Sequence, residues 1–174
     1  MQREFLSSNN MRDHGHRYVR SGSILVEALV AAALCLAVVV GVISAFTFTL
    51  KSALANTAKV QATFLENEGL EAVRILRDNG WTTNVASQTS GTPFYLFWDG
   101  TTWVATSTNI YIDKIFERTV VLQNVNRDGS KNIVSSGGTL VANTRKVTIS
   151  VSWRFGNATS TQSLSNYLTN IFNN

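Results

Sequence analysis

The pattern of apolar and polar residues divides the chain into three parts. Residues 28–50 form a predominantly apolar run without a charged residue, and 23 residues at about 1.5 Å each reach roughly 34 Å, enough to cross a hydrocarbon core of ~30 Å. From residue 50 to residue 76, apolar and small residues recur at every third or fourth position, which predicts an amphipathic helix. After Gly80 the period becomes two, as in half-buried strands.

The first two parts are predicted to form one helix, because the helical pattern continues past Leu50. We expect this helix to run from Ser23 to Asn79 and to end at Gly80 in a left-handed cap. Its apolar stripe consists of Leu50, Leu54, Ala58, Ala62, Leu65, Gly69, Val73 and Leu76. Three glutamates lie off this stripe and are predicted to form a solvated face: Glu66, Glu68 and Glu71.

The alternating part predicts an antiparallel sheet. Its clearest strand covers residues 147–155, and Gly156-Asn157 is predicted to turn the chain into a second strand at 158–168. A second hairpin is predicted around Asp99-Gly100. Further strands are expected at residues 94–98, 102–105 and 115–122, and loops at residues 80–92 and 133–143.

These elements define an α+β fold. One very long N-terminal helix, with its first half transmembrane, packs on a small antiparallel β-sheet, because a sheet of this size needs the helical stripe to complete its core. The segments are a leader, the membrane half of the helix, its amphipathic half and the sheet domain: 1–22, 23–50, 51–80 and 81–174.

Charge and composition limit the possible functions. A chain of 174 residues with 44% hydrophobic content and a net charge of +4 suits one modest domain and a membrane segment. Arg12, Arg17 and Arg20 precede the apolar run, whereas Lys51 and Lys59 follow it. This bias predicts a cytoplasmic N-terminus and an external sheet domain.

Catalytic residue types are scarce in the sheet domain. The only histidines, His14 and His16, precede the apolar run, and the only cysteine, Cys35, lies within it. The domain therefore has no histidine base, no Cys/His pair and no usual set of zinc ligands. We expect neither an enzyme nor a cofactor.

The junction Gly22-Ser23-Ile24-Leu25-Val26-Glu27 precedes the apolar run. A carboxylate costs up to about 2 to 3 kcal/mol if it enters a membrane deeply, so Glu27 requires a partner. The junction resembles the processing site of type IV prepilins and type II secretion pseudopilins. Such precursors are cut after a glycine and methylated on the new amine, and a glutamate is fifth in the mature chain. In this chain, Gly22, Ser23 and Glu27 occupy those positions.

This resemblance implies a pilin-like fold and a structural subunit of a type IV pilus or a related filament. The implied partners are a prepilin peptidase, which removes residues 1–22, other pilin subunits, a membrane-embedded assembly platform and the lipid bilayer. Glu27 is implied to pair with the N-terminal amine of a neighbouring subunit. The subunit would reside in the inner membrane before assembly and in a surface filament afterwards. The absence of a second cysteine, and so of a disulfide loop, favours a minor pilin.

Three alternatives remain open. The chain is also compatible with a pseudopilin of a type II secretion system, with a DNA-binding competence pilin, and with a plain membrane-anchored binding domain. The DNA alternative rests on aromatic and basic residues of the kind that bind single strands, although their strand positions also suit core packing: Trp98, Trp103, Trp153, Lys146 and Arg154.

A calcium loop is a further candidate. Asn124, Asn126 and Asp128 match the alternating oxygen positions that begin an EF-hand, and Gly129 follows them. Ser135 stands where a bidentate glutamate is needed, so a turn that bonds its own backbone is preferred.

Overall fold

The computed structural model describes residues 21–174, which form an α+β fold. The elements are α1 (Ser21–Asn79), a short π-helix (Thr82–Ala86), β1 (Pro93–Trp98), β2 (Trp103–Thr106), β3 (Phe116–Arg127), β4 (Ile133–Val134), β5 (Thr139–Phe155) and β6 (Ala158–Thr169). The strands form an antiparallel sheet in the order β2-β1-β3-β5-β6, with β4 paired to β3. The chain divides into two compact units, Met1–Thr49 and Leu50–Asn174.

The described part of the first unit is the apolar half of α1. Every side chain from 22 to 49 is exposed. The hydroxyls of Ser44 and Thr49 donate to the carbonyls of Val40 and Ala45 at 2.8 and 2.9 Å, which satisfies these polar groups within the helix. Within residues 21–174, α1 is the one helix long and apolar enough to cross a membrane.

In the second unit, the sheet packs on the amphipathic half of α1. Leu70, Val73 and Leu76 meet the inward side chains of β3 and β5, and the predicted stripe is confirmed from Ala62 onward. Leu50 and Leu54, at the start of this stripe, are exposed. A smaller cluster next to the main core contains Ala62, Phe116, Val151 and Trp153.

Gly69 allows the sheet to approach α1 closely. A Cβ atom at this position would lie 2.9 Å from Ile149 Cγ2 and 3.0 Å from Arg118 Cδ. These distances are shorter than ordinary carbon contacts. The glycine in the stripe is therefore required by packing rather than by backbone conformation.

The predicted hairpins are confirmed. Trp98 pairs with Trp103 across the β1–β2 turn, and Phe155 pairs with Ala158 across the β5–β6 turn, where Gly156 has a φ of 61°. The predicted loop at 133–143 is wrong, because β4 lies within it and β5 begins at Thr139. Backbone pairing with β3 holds β4 and the start of β5 in strands, although the sequence there lacks a regular alternation of apolar and polar residues.

The predicted loop at 80–92 is wrong in part. Trp81 and Val85 are buried in the main core, 3% and 0% exposed, and a π-helix begins at Thr82. Gly80 has a φ of 152° instead of the predicted left-handed helical value. The chain after α1 thus turns back to cover the end of the core rather than leaving as a surface loop.

Candidate functional site

The residues predicted for processing and assembly lie in the first turns of α1. Gly22 and Ser23 precede Glu27 by about one helical turn, which is roughly 6 Å of rise between Ser23 and Glu27. The side chains of Ser23 and Glu27 are exposed on the same face as the apolar residues that follow at helical spacing. Residues 1–20 of the predicted leader, including His14 and His16, lie outside the described residues.

Glu27 forms no ion pair with any residue from 21 to 174. The surrounding exposed side chains are apolar, including Val26, Val30 and Leu34, at 61%, 51% and 64% exposure. A carboxylate on such a surface becomes costly as soon as lipid or another helix covers it, unless a cation comes with the covering surface. Among the described residues, Glu27 therefore lies on an apolar surface without a cationic partner.

Glu66 does not belong to a solvated face, and that prediction is wrong. It is only 3% exposed, since it lies one turn after the fully buried Ala62. Gln162 of β6 donates to Glu66 Oε2 at 3.1 Å and to Thr63 Oγ1 at 2.9 Å. Burial raises the pKa of Glu66, and the hydrogen bond from Gln162 opposes this shift.

Glu68 forms an ion pair with a buried arginine of the sheet. Arg118 of β3 is 4% exposed, and its Nη1 donates to Glu68 Oε2 at 2.9 Å and to the Leu65 carbonyl at 3.2 Å. Its guanidinium carbon lies 5.1 Å from the centre of the Trp103 ring. Burial lowers the pKa of Arg118, and the charge of Glu68 opposes this shift. Glu71, by contrast, is exposed and bonds Arg74.

Arg118 was not among the residues predicted from the sequence. The available signal was its position in β3, because every second residue of a strand faces the same side and Arg118 is in step with three buried apolar residues: Phe116, Val120 and Leu122. A buried arginine requires a carboxylate and further acceptors, which α1 provides.

The candidate calcium ligands have other partners. Asn124 and Asn126 belong to β3; Asn124 Oδ1 accepts from Arg145, and Asn126 Nδ2 donates to the Gly137 carbonyl at 2.9 Å. Asp128 Oδ1 accepts the backbone N–H groups of Ser130 and Asn132 at 2.9 Å, as in a turn that bonds its own backbone. In the part of the chain described, no three His, Cys, Asp or Glu residues come together.

The aromatic and basic residues considered for DNA do not form one surface. Trp153 is buried towards α1 at 7% exposure, whereas Lys146 and Arg154 occupy the alternate positions of β5. Trp103 is half-buried. Trp98 is 48% exposed at the β1–β2 hairpin end, so core packing was the wrong expectation for it; its ring meets that of Trp103 at 5.6 Å.

Comparison with models of known protein families, with curated proteins and with solved structures finds no match.

Proposed function

We propose that this chain is a type IV prepilin, most simply a minor pilin, and a structural subunit of a filament. In this proposal a prepilin peptidase cuts between Gly22 and Ser23 and methylates the new amine. An assembly platform then moves α1 from the inner membrane into a surface filament. The observation that carries the proposal is Glu27, an unpaired anion within the described residues, in register with Gly22 at the start of an exposed apolar helix.

The apolar half of α1 supports assembly through its surface. Burying one large aliphatic side chain stabilises by about 1.5–3 kcal/mol relative to water, and the side chains from 22 to 49 are exposed. Lipid would cover this apolar surface before assembly, and other helices would cover it afterwards. A helix bundle of identical subunits supplies those helices.

The second unit offers a further contact surface on α1. Val60 and Phe64 are 55% and 71% exposed and lie one turn apart on a face that the sheet does not cover. An exposed phenylalanine and valine on a helix that already packs a sheet on its other side favour contact with a neighbouring subunit.

Glu27 would then hold the subunits in register. Cleavage creates a positive amine on Ser23 of each subunit, and a staggered bundle brings this amine to Glu27 of a neighbour. Removing one partner of such a buried pair costs about 3–5 kcal/mol, because the other charge remains without compensation. The pairing therefore selects one axial stagger among many that would satisfy the apolar surface alone.

Processing is tested by mass spectrometry of the protein purified from its native membrane. We expect a chain that begins at Ser23 and carries one methyl group on its amine. An intact leader, or cleavage after the apolar run, would show that the chain is an ordinary anchor or secreted domain.

Assembly is tested with Glu27→Gln, which removes the charge but keeps the shape. We expect membrane insertion and cleavage at Gly22 to continue and incorporation into sheared filaments, counted by immunogold labelling, to fall by about tenfold or more. Glu71→Gln is the matched control, since Glu71 is exposed on the same helix. Equal incorporation of both variants would contradict the proposal.

A pseudopilin would pass the processing test as well, and filament location separates it from a pilin. The DNA alternative receives no support from the fold, because Trp153 and the cations Lys146 and Arg154 lie on different faces. A plain anchored domain would lack both cleavage and incorporation.

A further inference from the structure

A polar cleft lies on the face of the sheet that points away from α1. Its volume is about 490 Å³. Gln123 of β3, Lys146 of β5 and Tyr167 of β6 are register partners across three adjacent strands and line it. β4 and Ser135 form its side. The cleft thus combines an aromatic ring, a side-chain amide, an ammonium group and a hydroxyl.

These groups suit a sugar better than an apolar ligand. The Tyr167 ring is 48% exposed and offers a flat apolar surface with a hydroxyl at its edge. Gln123 both donates and accepts, and Lys146 donates without an ion-pair partner among residues 21–174. A sugar ring has the complementary surfaces, with an apolar C–H face and a rim of hydroxyls that donate and accept.

A track of paired hydroxyls continues from the cleft along β5 and β6. Thr148 and Ser165 lie 2.9 Å apart, Ser150 and Ser163 2.8 Å, and Ser152 and Thr161 3.0 Å. Each pair uses one O–H for its internal hydrogen bond and keeps one O–H and several lone pairs. These groups face solvent, and no charged side chain separates them along β5 between Lys146 and Arg154 on this face.

The far end of the track also has a tyrosine, a cationic side chain and a hydroxyl, together with the carboxylate of Glu117. A depression of about 170 Å³ is lined by Tyr111, Glu117, Arg154 and Thr159, among others. Lys146 and Arg154 are eight residues apart on β5, which corresponds to about 26 Å at ~3.3 Å per residue. The surface is therefore long, narrow and uncharged between its two ends.

We propose that this face binds a neutral linear glycan, seated in the cleft at Tyr167 and extended along the hydroxyl track. An acidic polymer fits less well, because a nucleic acid needs a cation near each of its phosphates, and the track between the two ends has none. Charged carboxylates would also lose hydration against hydroxyls that cannot neutralise them. This binding is independent of the filament function and would exist in any of the membrane-anchored alternatives.

The test uses the full chain in a detergent without a sugar headgroup. Cellohexaose, chitohexaose and maltohexaose are titrated by calorimetry, and we expect saturable binding of at least one with little dependence on salt. Tyr167→Ala should weaken that binding about tenfold or more through loss of the aromatic surface. Phe172→Ala, at a comparably exposed aromatic residue off the sheet, should change it less than about twofold.

A second variant removes hydroxyls without disturbing the strands. The double substitution Thr148→Val and Thr161→Val keeps side-chain shape and strand preference, and we expect about a tenfold loss of affinity. Thr139→Val, exposed elsewhere on β5, is its control. No saturable binding by any hexasaccharide would overturn the proposal, as would equal affinity of the variants and their controls. Binding of oligothymidylate or polygalacturonate alone would assign the face to acidic polymers and also overturn it.

Discussion

The guanidinium of Arg118 is buried between sheet and helix and donates at 2.9 Å to the carboxylate of Glu68, which is itself half-exposed. This bond joins β3 to α1 across the packing interface. The buried cation has a second acceptor in the Leu65 carbonyl and an aromatic face in Trp103, so the ion pair is one part of a larger environment.

Glu68→Gln should destabilise the sheet domain by about 1–2 kcal/mol, because a hydrogen bond to a buried charge becomes neutral. The matched control is Glu71→Gln, which removes an exposed pair with Arg74 and should cost less than about 0.5 kcal/mol. Urea unfolding of the full chain in micelles, followed by tryptophan fluorescence, to which the buried Trp81 and Trp153 contribute, measures both. Equal losses would show that the Arg118 environment does not depend on Glu68.

Gly69→Ala should destabilise the domain by about 1–3 kcal/mol, although alanine is the better helix former. The new methyl group would meet Ile149 and Arg118 at 3.0 Å or less. Gly41→Ala, which meets nothing within 4 Å, is the control and should cause no loss in the same unfolding assay. A stabilised Gly69→Ala protein would mean that β3 and β5 retreat without cost.

Trp153→Ala should cost about 3–5 kcal/mol, since its ring is buried 6.1 Å from that of Phe116 in the smaller cluster. Trp98→Ala should cost less than about 1 kcal/mol, because half of that ring is already in water. Unfolding midpoints of the two variants provide the comparison. The reverse order would mean that the smaller cluster contributes little to the core.

Glu66 should make stability depend on pH. Burial raises its pKa in the folded state, so its protonated form is favoured there. Its stabilising contribution is full below the pKa of the unfolded chain and is lost as pH rises through the raised folded pKa. Glu66→Gln should flatten this dependence and leave the domain more stable at neutral pH, on the order of 1 kcal/mol. Unfolding measured from pH 4 to pH 8 tests it, and an unchanged slope would contradict the assignment.

Periodicity predicted the long helix and the central strands because apolar residues there have one consistent direction. It could not find the start of β5 at Thr139, where pairing with β3 holds polar residues in a strand. It also misjudged Glu66 and missed Arg118, since burial of a charge depends on partners distant in sequence: Gln162 for the first and Glu68 for the second. The cleft at Lys146 and Tyr167 requires strand register, which the sequence pattern alone does not provide.

The short strand β4 should open independently of the centre of the sheet. From Arg145 to Trp153, β5 pairs with strands on both sides, whereas β4 has two residues and pairs only with β3. Local opening of β4 breaks few backbone hydrogen bonds, whereas opening of β5 requires nearly complete unfolding of the sheet. Since β4 borders the polar cleft, one wall of that cleft can loosen and reclose while its floor on β5 stays fixed. If the cleft binds a glycan as proposed, this loosening would let it accept chains of different width while the core stays folded.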